Sequence, residues 1–282
     1  METFVARVNE QKKQLKRPLV GLALGSGAAR GMAHIGVLQV LFEEDIPIDC
    51  ITGTSIGSLV GAMILSGWTP QFLGRFARAV GKEHMVSVLD FVIPPKTGLI
   101  NGNRIKVLLE RVLKIKNIEE LPKPFAAVST DIATGERVVH DRGSLLEGIR
   151  ASISVPGVFV PAEERESGRL LVDGGVVDPV PLDVLVEAGV EIQIGVNILR
   201  KPDTAEKPKD VIDILLNSID IMGAQIFELK STGKAIVLEP LLGHRFGSMD
   251  FHKAEPMIEL GRKCALEKLP EIKERLRSEG VL

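Results

Sequence analysis

Ile51-Thr52-Gly53-Thr54-Ser55-Ile56-Gly57-Ser58-Leu59-Val60-Gly61 sets a serine between two glycines, with an apolar stretch before it and a run of small and apolar residues after it. This pattern predicts a strand that turns sharply into a helix, with Ser55 at the corner. Such a corner holds a serine in a strained turn, its hydroxyl exposed at a helix N-terminus where backbone N–H groups can stabilise an oxyanion. A strand feeding directly into a helix is also the repeating unit of an α/β fold.

The same alternation extends in both directions. Upstream, Pro18 to Gly25 (PLVGLALG) reads as a short buried strand ended by glycine, followed by a helix from about Ala29 to Glu44. Ile35, Leu38, Leu41 and Phe42 are spaced to share one face of that helix. Ile48 to Thr52 is the second strand. The helix after Ser55 runs to about Leu65, with Gly67 to end it and Thr69-Pro70 as N-cap and first position of the next. Downstream, a helix is expected from Arg104 to Leu113. Strands follow at Phe125–Thr130 and Glu136–His140, joined by the turn Ala133-Thr134-Gly135. Next come a helix at Leu145–Ser152 and a brief strand, Leu170–Val172, ending at Asp173. Val190 to Ile198 alternates strictly, as a strand with one more polar face would. Lys201 to Lys209 reads as a surface loop, and a long amphipathic helix is expected at Val211–Leu229, its apolar face serving core packing. A last strand at 234–239 and two charged helices close the chain. Strands alternating with helices predict a largely parallel sheet covered on both faces. Residues 1–17 form a polar lead-in, helical or disordered. Residues 18–282 read as one domain, with no internal repeat and no separating linker.

Composition narrows the function classes. The chain has 282 residues, is 45% hydrophobic and carries a formal net charge of −2, with no basic stripe along any helix; nucleic acid is not an expected partner. Cys50 and Cys264 imply no disulfide framework. No apolar run approaches the roughly 20 residues of a membrane span, and the N-terminus lacks the basic–apolar–cleavage layout of a signal peptide. The expectation is a cytoplasmic protein whose membrane contact, where it occurs, is peripheral. The apolar stretches for such contact are 84–103 and Val211–Leu229. The first of these reads as an ordered connector or as a lid for an apolar substrate.

Three motifs carry chemistry. The first is the corner Gly25-Ser26-Gly27-Ala28-Ala29-Arg30-Gly31 between the first strand and first helix. A dinucleotide loop needs Gly-x-Gly-x-x-Gly, but counting from Gly25 the last position is Arg30, and from Gly27 it is Met32. A tight structural turn and an oxyanion hole built from the N–H groups of Gly27 and Ala28 both remain open. The second motif is Gly53-Thr54-Ser55-Ile56-Gly57, whose serine needs a base to become a nucleophile. None of the histidines (His34, His84, His140, His244, His252) sits in a local motif for that task, and His34 reads as a packing residue inside a helix. The third motif, Leu170-Leu171-Val172-Asp173-Gly174-Gly175, ends a strand with an uncrowded aspartate. It reads as a β-turn or as a base acting directly on Ser55. A free aspartate has a pKa near ~3.9, so apolar surroundings such as Val172, Val176 and Val177 would have to raise it.

Five stretches in this order resemble the bacterial patatin-like phospholipases, including the branch similar to the neuropathy-target-esterase catalytic domain. They are GLALGSGAARGMAHIGVL at 21–38, GTSIG at 53–57, STDIATGE at 129–136, ASISVPGVFVP at 151–161 and DGGVVDPVP at 173–181. The resemblance implies a three-layer α/β/α sandwich with a mostly parallel central sheet. It also implies a Ser–Asp dyad of Ser55 and Asp173, and an oxyanion hole at Gly27 and Ala28 with Arg30 nearby. The supporting motif positions are Gly25, Ser26, Gly31, Gly53, Gly57, Gly174 and Gly175. The implied reaction is hydrolysis of carboxylic esters of lipids, without a metal or organic cofactor. Ser26 and Ala28 stand where the commonest family pattern has glycines, which leaves function intact only if the backbone angles there suit a side chain. Acyl transfer to an acceptor other than water, and a low-turnover lipid-binding regulator on the same scaffold, are the alternative readings.

Overall fold

The computed structural model describes residues 3–79, 90–94, 97–199, 210–230, 233–243 and 246–282. In chain order the strands are β1 (Val20–Leu24), β2 (Cys50–Thr54), β3 (Gly98–Ile100), β4 (Phe125–Asp131), β5 (Arg137–His140), β6 (Gly157–Phe159), β7 (Ala162–Glu163), β8 (Leu170–Asp173), β9 (Ile192–Val196) and β10 (Ile236–Leu238). The helices are α1 (Phe4–Leu15), α2 (Met32–Glu43), α3 (Ile56–Leu65), α4 (Pro70–Ala79), α5 (Asn103–Val112), α6 (Leu145–Ser152), α7 (Leu182–Glu187), α8 (Val211–Lys230) and α9 (Ala254–Ser278).

The main sheet has the order β10-β9-β1-β2-β4-β8-β7, with β5 also on β4. Pairing is parallel from β10 through β4 and antiparallel among β4, β5, β8 and β7. Because successive side chains of a strand point to opposite faces, the core divides into two layers. Leu22, Leu24, Ile51 and Ile194 face one side with α2, α3 and α9. Ala23, Cys50, Ala126 and Val128 face the other with α1, α7 and Phe227 of α8. The result is a mixed α/β fold with a mostly parallel central sheet flanked by helices.

Several sequence expectations need correction. The chain ends in one helix, not two, and α9 runs through Pro270. Its buried stripe of Ile258, Ala265, Ile272 and Leu276 stays in phase across the proline, so packing overrides the lost hydrogen bond. Of the two readings of the lead-in the helical one holds, and what the sequence did not indicate is that Phe4 and Val8 of this helix, α1, are buried. The first turn after β1 is a 3-10 turn, Ala28–Gly31, before α2 begins at Met32. Phe42 is exposed: the buried run of α2 ends one residue earlier, at Leu41. β9 is more covered than its alternation suggests: it lies between β1 and β10, with Gln193 half-buried on its more polar face and Gly195 close against Leu182 of α7. The short strands β3, β6 and β7 went unread, because two or three residues carry no period. His84, His244, the loop Lys201–Lys209 and much of 84–103 lie outside the described residues, so the lid reading of that stretch does as well.

Candidate active site

β2 ends at Thr54 and α3 begins at Ile56, so Ser55 alone makes the turn. Its φ of 56° and ψ of −127° lie where L residues are rarely found, a conformation that persists only when the surroundings enforce it. The surroundings do so from both sides. The Ser55 N–H donates to Ser152 Oγ at 2.9 Å, and that hydroxyl donates onward to Val128 O at 2.7 Å. The Ser55 carbonyl accepts from Ser58 N at 2.9 Å and Ser58 Oγ at 2.7 Å. The flanking glycines are required for space: a Cβ on Gly53 would lie 2.5 Å from the Ser58 backbone, and one on Gly57 would lie 2.1 Å from Leu24 O.

Asp173 reaches Ser55 through strand β4. One edge of β4 pairs with β2 up to Thr54 opposite Val128. The next residue of that edge, Ser129, faces Asp173, because β8 comes in antiparallel where β2 has ended. β5 occupies the opposite edge of β4. The last residue of β8 therefore meets the residue that follows β2. Both are buried, at 5% exposure each. Asp173 Oδ1 accepts the Gly175 N–H at 2.7 Å, while among the described residues Oδ2 accepts no hydrogen bond of standard geometry. Burial pushes the Asp173 pKa up to about 7, against the smaller opposing pull of the nearby Ser55 hydroxyl and the Gly175 N–H. Gly174 packs against the Val128 carbonyl, and Gly175 sits between Ser26 and Asp173.

The glycine-rich corner follows β1, the parallel neighbour of β2, and Gly31 lies against Ile56 at the start of α3. Its N–H groups divide sharply. Those of Gly25, Ser26, Ala29 and Arg30 donate to Val196 O, Pro179 O, Ser248 O and Gly27 O, at 2.8–3.1 Å. Among the described residues, the N–H groups of Gly27 and Ala28 have no acceptor. Gly27 takes φ 154° and Ala28 takes φ 51°. Ala28 thus carries a side chain on left-handed backbone that favours glycine, whereas Ser26 has no positive φ; of the two replaced family glycines, the angles suit a side chain at Ser26 and strain it at Ala28.

The patatin-like phospholipase family model matches residues 22–186, a span that holds all three motifs. The chain belongs to that family. Its relatives include an uncharacterized NTE family protein of Mycobacterium tuberculosis, 39% identical over 181 residues, 64% of this chain and 49% of the relative. Patatin-like phospholipase domain-containing protein 6 of Homo sapiens is 36% identical over 188 residues, 66% of this chain and 14% of that protein. The match thus spans about half of the mycobacterial protein and a small part of the human one. Among solved structures, VipD from Legionella pneumophila shares the fold, with a TM-score of 0.52 at 14% identity, covering 90% of this chain and 67% of that one.

Within this patatin-like frame two of the described histidines are buried and hydrogen-bonded. His34 Nε2 bonds the Gly25 carbonyl at 2.8 Å, and burial lowers its pKa to about 4. That bond requires the proton on Nε2, so the buried imidazole is neutral and braces the corner from α2. His140 bonds Ser129 Oγ at 2.7 Å, and burial lowers its pKa to about 4 as well. His252 lies in the 3-10 turn before α9.

Sequence reasoning missed four supporting groups. Ser152 holds the Ser55 N–H, and the Ser154 carbonyl accepts the Asp173 N–H at 2.9 Å. The Thr54 hydroxyl donates to the Asp178 carbonyl at 2.8 Å. Arg30 is buried against Asp220 of α8 at 2.6 Å. The two serines fall inside ASISVPGVFVP, noted only as a shared stretch. Nothing local marks Asp220, which is 190 residues from its partner.

Proposed function

We propose that this protein hydrolyses carboxylic esters of lipids, with Ser55 as nucleophile, Asp173 as its base, and the N–H groups of Gly27 and Ala28 as oxyanion donors. The observation that carries the reading is a buried Asp173 whose Oδ2 has no partner of standard geometry among the described residues and whose carboxyl lies within reach of the hydroxyl of a strained Ser55. One carboxylate oxygen is held by Gly175, which leaves the other to take a proton. A carboxyl whose pKa lies near the working pH is well matched to general base catalysis. The two unbonded N–H groups between four bonded ones supply donors without an internal competitor.

The steps balance as follows. Asp173 accepts the Ser55 hydroxyl proton while Oγ bonds to the ester carbonyl carbon, and the carbonyl oxygen takes the negative charge toward Gly27 and Ala28. The C–O bond to the leaving alcohol breaks, and Asp173 returns the proton to that alcohol. Water then attacks the acyl-serine, giving its proton to Asp173. Collapse releases the carboxylic acid and restores the serine hydroxyl.

The lipid class of substrate is supported by the family and by the outer face of α8. Val211, Ile214, Ile221, Met222 and Leu229 are exposed there with the uncharged Ser218 and Gln225, and the exposed Glu228 borders that face near its C-terminal end. No helix among the described residues is long and apolar enough to cross a membrane. We assign the α8 face to peripheral contact with a lipid surface, readable by liposome flotation of the parent and an Ile221→Asp/Leu229→Asp variant.

The deciding experiment pairs fluorophosphonate labelling with hydrolysis of a lysophospholipid and a short-chain nitrophenyl ester. The parent is expected to label at Ser55 and turn over at least one ester. Ser55→Ala is expected to stay folded and lose both, with turnover down by orders of magnitude. Retained hydrolysis by purified Ser55→Ala would overturn the assignment.

A further inference from the structure

The ion pair between Arg30 and Asp220 is buried on both sides, with side-chain exposures of 1% and 9%. Arg30 Nη2 donates to Asp220 Oδ1, while Arg30 Nε and Asp220 Oδ2 have no partner among the described residues. The contact is therefore end-on and not a two-pronged fork. For stability alone such a pair is a poor choice. Stripping water from both charges offsets much of their attraction, and an apolar pair of similar volume often does as well or better. What the pair supplies is direction.

Arg30 sits where direction matters. Its own N–H donates to Gly27 O at 3.1 Å, so the residue that carries the guanidinium also closes the turn containing Gly27 and Ala28. Ala28 holds positive φ with a side chain in place, a conformation that persists only under restraint from its surroundings, and Gly27 beside it takes φ 154°. The other restraints are neutral: His34 on the Gly25 carbonyl, and the N–H groups of Gly25, Ser26 and Ala29 on the carbonyls of Val196, Pro179 and Ser248. The charged one is Asp220. Its helix, α8, also packs against the turn Gly174–Val176 that directly follows Asp173, and its Gly223 lies against Pro179. One helix thus rests on the aspartate's turn and grips the glycine-rich corner by charge.

We propose that Asp220 is a positioning residue which, through Arg30, sets the Gly27 and Ala28 N–H groups at a fixed place relative to Ser55 and Asp173. Its effect on turnover rests on the ester-hydrolase reading above; its effect on the backbone of the corner does not.

The test uses the full chain with Asp220→Asn, Asp220→Glu and the apolar pair Arg30→Met/Asp220→Leu. Thermal melting, kcat and KM on a soluble nitrophenyl ester, and the amide NMR shifts of Gly27 and Ala28 are read for each. Asp220→Asn is expected to lower kcat about tenfold with KM within about twofold, a loss confined to the transition state. Asp220→Glu, which keeps the charge, should recover part of that loss. The apolar pair should melt near the parent temperature, yet still lose kcat and shift both amide signals. A folded apolar pair with parental kcat and parental Gly27 and Ala28 shifts overturns the proposal, and it decides the matter if Asp220→Asn fails to fold. Should the parent show no Ser55-dependent hydrolysis, the ester reading falls, and the amide shifts alone decide the positioning role.

Discussion

Ser55 and Asp173 meet because one edge of β4 is shared end to end by two strands of opposite direction. β2 occupies that edge up to Val128, and β8 occupies it from Ser129. The 117 residues between the two are thereby reduced to one step of register. The site is buried, which raises the Asp173 pKa to about 7. A base works only when ionised, so kcat/KM should climb about tenfold per pH unit below 7 and level off above it. A pH–rate profile from 5 to 9 checks this, and a flat profile across pH 6–7 would remove Asp173 from the role of base.

The same raised pKa has a stability consequence of definite sign. Asp173 binds a proton more tightly folded than unfolded. Its favourable contribution is therefore complete below the unfolded value near ~3.9 and is lost as pH rises through about 7. Above that pH the buried charge opposes folding, by up to ~4 kcal/mol for a shift of this size. Asp173→Asn should accordingly be impaired in turnover yet melt higher than the parent at pH 8, with the gain shrinking toward pH 5. Melting curves at the two pH values read the effect directly.

How far the sequence discloses this site follows from how local each signal is. The strand–Ser55–helix turn and the glycine corner are legible because glycines and periodicity mark them within a dozen residues. β8 is legible as a strand ending in Asp173, but its antiparallel approach to β4 is not, since nothing in LLVD states direction. Ser152 and Asp220 are invisible for another reason. A serine in a helix and an aspartate on an amphipathic helix are ordinary until the fold supplies the Ser55 N–H and the Arg30 guanidinium. The expected second terminal helix shows the opposite error, a local rule overruled by the continuous buried stripe on either side of Pro270.

None of the histidines is expected to be catalytic. His140→Ala, His252→Ala, His84→Ala and His244→Ala should each keep turnover within a few-fold of the parent. His34→Ala is the instructive exception. It strips the Gly25 carbonyl of its buried partner, at a cost of ~1–3 kcal/mol in stability, and loosens the corner. Turnover should fall, but far less than in Ser55→Ala. A folded histidine variant as inactive as Ser55→Ala would contradict the Ser–Asp reading.

Ala28 offers a test of backbone strain. At φ 51° an L residue costs roughly 1–2 kcal/mol relative to the right-handed region, and glycine escapes that cost. Glycine also loses more entropy on folding, by about 0.4–1 kcal/mol. The two effects nearly cancel, so Ala28→Gly should leave the denaturation midpoint unchanged or slightly raised. Ala29→Gly, at a fully buried position without positive φ, should lower it. Urea titration of the pair separates them, and equal destabilisation by both would mean that Ala28 is unstrained.

Ser152 connects the elbow to the sheet, and its removal should separate geometry from chemistry. Ser152→Ala leaves two buried groups unpaired, the Ser55 N–H and one acceptor site on Val128 O. The expected loss of stability is ~1–3 kcal/mol for the unpaired groups. Without that tether the strained Ser55 backbone can relax toward ordinary angles, withdrawing Oγ from Asp173. Turnover should therefore fall by more than the stability change accounts for at a temperature where the variant is fully folded. Fluorophosphonate labelling should slow in proportion, because it too needs an aligned Oγ. Ser152→Thr keeps the hydroxyl and should restore both rates in part, whereas Ser152→Cys, a weak donor and acceptor, should not. If Ser152→Ala is destabilised but labels and turns over at the parental rate, the elbow holds its shape without this bond, and the strain at Ser55 is enforced by the two Ser58 hydrogen bonds and the close packing at Gly53 and Gly57.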